Sequence, residues 1–138
     1  MRYCSLGSGS RGNGTLIEQG ASRVLVDCGF SLRATEQRLR QAGISGDQLS
    51  AILVTHEHSD HIQGVAKLAR RYELPVYLTP GTGYALREES GLDIRYIDLH
   101  GRFAVGELEV TPVAVPHDAR EPCQYVFDNG RQRLGVLT

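Results

Sequence analysis

The segment Thr55-His56-Glu57-His58-Ser59-Asp60-His61 sets four side chains that can ligate a metal into one short stretch. In an extended chain, residues two apart project to the same side, so His56 and His58 can present both imidazoles to one ion. Asp60 and His61 are adjacent, point in different directions, and can serve a second, neighbouring ion. Imidazole nitrogen and carboxylate oxygen are zinc-type donors, and a catalytic site keeps one position for water. At this chain's own His and Asp frequencies, a chance His-x-His-x-Asp-His match has a probability on the order of 3 in 10,000, so coincidence is a poor explanation. Four such groups crowded together without an ion would form a costly, repulsive cluster. The zincin helix His-Glu-x-x-His is a different arrangement and is excluded, because position 60 is Asp.

A cluster of this kind needs a rigid edge to stand on. Residues 51–54, Ala-Ile-Leu-Val, are a fully apolar run expected of a buried strand, and the cluster follows at once. Beyond it, Ile62, Val65, Leu68, Ala69 and Tyr72 recur at helical spacing, and Pro75 closes that helix. Earlier in the chain, residues 1–6 read as a strand and 7–14 as a Gly/Ser loop. Segments 15–19 and 23–27 read as a hairpin around Gly20-Ala21-Ser22, the second arm ending on Asp27. A helix is expected over 31–41, with Ser31 as N-cap and Gly43 as a left-handed stop. After a strand at 76–78 comes an expected helix over 80–90, stopped by Gly91. Strands are then expected at 94–97, 108–115, 124–128 and 133–137, with Asp128-Asn129-Gly130 as the last turn. Helices covering a mixed sheet are the natural layer solution for this order.

His56-x-His58-x-Asp60-His61, preceded by Ile52-Leu53-Val54-Thr55, resembles the signature of the metallo-β-lactamase superfamily. The supporting features are in order: Asp27 ends an early strand, and His117 follows a later one in Val115-Pro116-His117-Asp118-Ala119. The resemblance covers essentially the whole chain. It implies an α+β fold, the four-layer αββα sandwich, with residues 1–138 forming one domain and supplying its N-terminal half to two-thirds. It implies that His56, His58 and His117 bind a first divalent ion and Asp60 and His61 a second, with Asp27 orienting the metal loop by hydrogen bonds. A bridging acid and a last histidine complete that family's set; the acid is expected directly after the strand ending Gly135-Val136-Leu137-Thr138, so the chain is expected to continue. Glu57, between two ligands, is expected to face solvent, and His100 to be a surface turn residue.

The loop Ser8-Gly9-Ser10-Arg11-Gly12-Asn13-Gly14 is the candidate substrate side. Successive backbone N–H groups in a Gly-rich turn can form an anion nest, with Ser8, Ser10, Arg11 and Asn13 as its side chains; a plain hairpin loop is the alternative. It lacks Gly-Lys-Ser/Thr and is no nucleotide P-loop. Together with Pro116-His117-Asp118-Ala119, it resembles a bacterial subgroup described as YycJ/WalJ-type exonucleases and related phosphodiesterases. The implied function is a metal-dependent hydrolase: two cations lower the pKa of a shared water to near 7, the resulting hydroxide attacks, and Asp60 orients it and takes its proton. The ions are expected to be zinc, with manganese or iron as other options. The expected substrate is a phosphodiester, including DNA. Thioester or lactone hydrolysis is the rival within the superfamily, and a non-catalytic metal-binding fragment the rival outside enzymes.

Composition sets the frame. The chain has 138 residues, a formal net charge of −1, 41% hydrophobic and 22% charged residues, which fits one globular domain. That balance gives no global pull toward nucleic acid or an anionic membrane, although 14 of the 15 basic residues are Arg. No run is long enough to span a membrane, and Met1–Leu6 is too short and polar for a signal peptide, so a cytoplasmic protein is expected. Cys4, Cys28 and Cys123 are odd in number and widely spaced, which fits reduced, buried thiols. An incomplete sandwich would leave an apolar sheet face uncovered, and self-association would follow from it.

Overall fold

The computed structural model describes residues 1–138 and arranges ten strands in two sheets. The first sheet runs in sequence order: β1 (Arg2–Gly7), β2 (Gly14–Gln19), β3 (Ser22–Val26), β4 (Ala51–Leu53), β5 (Pro75–Leu78) and β6 (Asp93–Tyr96). β1, β2 and β3 pair antiparallel, whereas β3 through β6 pair parallel. Parallel neighbours need crossovers, which the chain makes with α1 (Leu32–Gln41), with α2 (Ser59–Ile62) plus α3 (Val65–Tyr72), and with the single turn α4 (Pro80–Gly83). The second sheet is an antiparallel meander of β7 (Phe103–Val105), β8 (Leu108–Ala114), β9 (Cys123–Asp128) and β10 (Arg133–Val136).

Strand periodicity divides the apolar residues between two cores. Leu16, Leu25 and Ile52 face the helices and pack with Leu39 of α1 and Leu68 of α3. Their neighbours Ile17, Val24 and Leu53 face the other way and meet Val110, Tyr125 and Phe127 of the second sheet. β4 is therefore apolar at every position and fully buried, as a strand covered on both faces must be. The layers are helices, sheet and sheet, three of the four layers of an αββα sandwich. The outer face of the second sheet is mixed, carrying exposed Val113 and half-buried Val126 beside charged residues. Glu109, Asp128 and Arg133 align across it, with Arg102–Glu109 at 3.1 Å and Arg133–Asp128 at 2.7 Å. No helix is long and apolar enough to cross a membrane.

Local differences from the expected elements have local causes. α1 begins where expected, with Ser31 Oγ accepting from the Ala34 N–H, and Gly43 is left-handed at φ 86°. The helix expected over 62–72 is split after Ile62 because Gly64 lies against another segment: a Cβ there would stand 1.9 Å from the Phe30 carbonyl oxygen and 2.9 Å from Cys28 Sγ. That helix ends at Tyr72 through left-handed Glu73, and Pro75 starts β5 rather than closing the helix. The helix expected over 80–90 shrinks to α4 and a 3-10 turn at Tyr84–Leu86, since Pro80, Gly81 and Gly83 leave little helix propensity. β7 is an additional strand that the sequence reading did not anticipate. Gly64→Ala is expected to lower unfolding free energy by about 2–3 kcal/mol through backbone overpacking; an unchanged midpoint in urea would contradict the contact described.

Candidate metal centre

The site is built where β3 and β4 stop side by side. The Asp27 N–H donates to the Leu53 carbonyl at 2.8 Å, extending the parallel ladder by one residue, and the chain then turns with Asp27 at φ 63°. Asp tolerates this left-handed region better than most residues. Its carboxylate has no exposure to water and is satisfied from within. Oδ1 accepts the Thr55 backbone N–H at 2.8 Å; Oδ2 accepts the Thr55 hydroxyl at 2.8 Å and His61 Nδ1–H at 2.7 Å. One buried acid thus clamps both ends of the histidine segment. Backbone contacts close the joint: Cys28 N–H to the His61 carbonyl, Gly64 N–H to the Cys28 carbonyl, and Asn13 N–H to the Asp60 carbonyl, at 2.8–2.9 Å.

These bonds fix which imidazole nitrogens are available. The Thr55 hydroxyl gives its proton to Asp27, so its oxygen accepts from His56 Nδ1 at 2.9 Å. His56 therefore keeps a lone pair on Nε2. His61 spends Nδ1–H on Asp27, and its Nε2 faces the Asn13 side-chain amide at 3.3 Å. His58 Nε2–H donates to the Asp118 carbonyl at 2.9 Å, which leaves Nδ1. Hydrogen bonds of this kind orient histidine ligands and select their tautomers.

The free nitrogens converge. One ligand atom each from His56, His58 and His117 falls within 4.8 Å of the others. His56 Nε2 and His117 Nε2 are 3.2 Å apart, and the ring centroids of these three histidines lie 4.5–4.9 Å from one another. Three imidazoles with converging nitrogens are a donor set suited to a divalent cation. Burial lowers the pKa of His56 to about 4, helped by the neighbouring histidines, so it is held in the neutral form that ligates. Beside this trio, His61 Nε2 stands 3.6 Å from Asp60 Oδ2 and its ring lies 4.1 Å from that of His56. Burial resists protonation of His61, but the bond to Asp27 and the charges of Asp27 and Asp60 outweigh it and raise its pKa. The pair Asp60 and His61 is thus a place where positive charge is favoured.

Of the loop residues expected on the substrate side, Ser8, Ser10 and Arg11 are exposed, whereas Asn13 is buried. The Asn13 side-chain amide donates to the Gly9 carbonyl (2.9 Å) and to Asp60 Oδ2 (3.1 Å), and its oxygen accepts the Gly9 N–H (3.0 Å). Asn13 therefore positions Asp60 and ties the loop to it. Glu57 is half-buried rather than facing solvent, because its Oε1 accepts the Arg120 N–H at 2.9 Å and anchors the loop that carries His117. Thr55, Glu57 and Arg120 carry weight that local sequence did not announce; each acts across 28 or more residues. His100 lies on an exposed turn. Cys28 and Cys123 are buried free thiols, and burial raises both, Cys123 to about 11.

Thr55→Val keeps the shape of residue 55 and removes the hydroxyl that links Asp27 to His56. Divalent metal affinity is expected to fall about 10- to 100-fold, read by competition with a chromogenic chelator. An unchanged affinity would show that His56 does not need this link.

Comparison with known proteins agrees with the geometry. Residues 22–138 match the family described as beta-lactamase superfamily domain. The chain is 40% identical over 142 residues to exodeoxyribonuclease YycJ of Bacillus anthracis, covering 100% of this chain and 54% of that protein. It is 43% identical over 135 residues to ribonuclease Z of Mycobacterium sp. (strain KMS), covering 89% of this chain and 45% of that protein. The chain thus spans about half the length of the curated relatives it matches. Among solved structures, Rm3 metallo-beta-lactamase superposes with a TM-score of 0.79 at 22% identity, over 96% of this chain and 56% of that one, a likeness of fold. The clamped histidine segment, the two-sheet architecture and these matches converge: the chain belongs to the beta-lactamase superfamily and carries the metallo-β-lactamase fold.

Proposed function

We propose that this chain supplies the metal-holding part of a phosphodiesterase active site, and that the substrate is DNA cleaved as by an exonuclease. One observation carries the reading: three imidazole nitrogens from two loops converge within 4.8 Å, beside a carboxylate–imidazole pair. The choice of a phosphodiester is supported by 40% identity, across the whole chain, to an exodeoxyribonuclease.

His56, His58 and His117 would hold one ion, and Asp60 with His61 would contribute to a second. Zinc suits this donor set, with manganese and iron as alternatives. When bound, such ions supply Lewis acidity, polarising phosphoryl oxygens and making water acidic enough to be a nucleophile near neutral pH. The residues of the chain do the rest. Asp60, held by Asn13, accepts the proton of the attacking water and orients it. His61, tethered to buried Asp27, keeps Nε2 aimed at the same space. Arg11 makes no ion pair, so with the exposed Ser8 and Ser10 and the backbone N–H groups of their Gly-rich loop it can receive a phosphate. The Thr138 hydroxyl also donates to Asp27 Oδ2 at 3.3 Å, so the segment that follows β10 of the second sheet is tied to the same buried carboxylate. A reducing, cytoplasmic setting accords with Cys4, Cys28 and Cys123 all being free.

The full-length, metal-loaded protein is expected to hydrolyse bis-p-nitrophenyl phosphate and single-stranded DNA, with little turnover of thioesters or lactones. His58→Ala is expected to cut both metal retention and hydrolysis by more than about 100-fold. Full activity in that variant, or activity confined to thioesters or lactones, would overturn the proposal. The identity to ribonuclease Z favours RNA as the second candidate strand, and an RNA oligonucleotide in the same assay decides between them.

A further inference from the structure

The parallel strands of the first sheet all end on one edge, and in such sheets ligands bind outside the carboxyl ends of the strands. The histidine segment follows β4 there. α4 and the residues after it follow β5, the direct neighbour of β4, so Tyr84 is delivered to the same edge as His56. Tyr84 is 53% exposed, unusual for so large a ring. The guanidinium of Arg120 lies 4.7 Å from its centroid, and that of Arg87 lies 5.7 Å away. Tyr96, 63% exposed, packs where a Cβ of Gly83 would be, within 2.6 Å, so a second exposed ring lies against the turn that precedes Tyr84.

Arg120 ties this surface to the metal centre. It lies three residues after His117, and its backbone N–H is the one held by Glu57 at 2.9 Å. The next residue fastens the same loop to α4: Glu121 Oε1 accepts the Gly81 N–H at 2.9 Å, and the Glu121 carbonyl accepts the Thr79 hydroxyl at 2.8 Å. Tyr84 and the His117 loop are thus one fixed assembly. The Arg120 guanidinium pairs with no carboxylate, while Arg87 has Glu88 at 3.9 Å. A chain with a net charge of −1 here presents an exposed aromatic face capped by an unneutralised cation.

Aromatic faces flanked by arginine are how proteins take hold of single strands: bases stack on the ring, and the cation meets the backbone phosphate. A duplex offers no free base face at its interior, so the surface selects an unpaired strand. We propose that Tyr84 and Arg120 form a strand-binding platform, on which a nucleobase flanking the scissile phosphate replaces the Arg120 guanidinium over the Tyr84 ring and stacks there, while the displaced, exposed Arg120 side chain contacts its phosphate. The inference rests on the phosphodiesterase reading for the position of the cut, but binding can be measured without cleavage.

The test uses the full-length protein and a fluorescein-labelled single-stranded DNA oligonucleotide, read by anisotropy and by cleavage, with the same sequence as duplex and as RNA. Tyr84→Ala is expected to weaken binding of the single strand, and to raise KM with little change in kcat, by about 5- to 100-fold. Tyr84→Phe restores both, because it keeps the ring. Arg120→Gln is expected to lower the slope of log K against log salt by about 0.7, one phosphate contact for a single strand. Single-strand binding that is indifferent to Tyr84→Ala overturns the platform, whether or not the protein cleaves. Tyr84-dependent binding without hydrolysis of any diester upholds the platform and overturns the phosphodiesterase reading instead. A ring-dependent gain for RNA but not DNA upholds the platform and identifies the strand as RNA.

Discussion

A carboxylate sealed from water must find donors inside the protein, and Asp27 finds them in Thr55 and His61. That requirement locks the segment after β4 to the turn after β3. It also accounts for the left-handed backbone at Asp27, a conformation the packed surroundings must hold in place. Take the carboxylate away and two imidazoles lose their orientation together, one directly and one through the Thr55 hydroxyl. The parallel sheet brings the two strand ends into register, and the Asp27 clamp turns that proximity into fixed side-chain geometry.

The clamp has a chemical consequence as well as a mechanical one. By accepting from Nδ1 of His61, and through Thr55 from Nδ1 of His56, it turns Nε2 of His56 toward His117 Nε2 at 3.2 Å and Nε2 of His61 toward the Asn13 amide at 3.3 Å and Asp60. His58 is set the opposite way by the Asp118 carbonyl. The loop carrying His117 is fixed to the same clamped segment through Glu57 and to the turn after β5 through Glu121. Burial keeps His56 neutral, while acidic neighbours favour positive charge at His61. One side of the cluster thus gathers three imidazoles and the other the carboxylates of Asp27 and Asp60.

Much of this was legible in the sequence, because the decisive signals are short-range. His56, His58, Asp60 and His61 lie in one segment after an apolar strand, and Ser31, Gly43 and the alternating strands carry their own local punctuation. The rest was hidden for physical reasons. The helix over 62–72 looks continuous by periodicity, but the approach of Phe30 and Cys28 to Gly64 interrupts it, and that contact spans 34 or more residues. Asn13 reads as a loop residue open to ligand, and only folding turns it inward under Asp60. Glu57 reads as a solvent-facing spacer until the loop at Arg120 comes down on it. One uncovered sheet face was expected to be apolar, and the register of the second sheet instead makes its outer face mixed, with Glu109, Asp128 and Arg133 in line beside Val113 and Val126.

The central claim is that the histidine cluster fixed by Asp27 is a divalent-metal centre. Native mass spectrometry of the full-length protein, with elemental analysis of the same sample, tests it most directly. The account predicts two divalent ions per chain, with loss of bound metal in His58→Ala while the fold persists. A folded wild-type protein that retains no divalent ion after incubation with zinc, manganese or iron would contradict it.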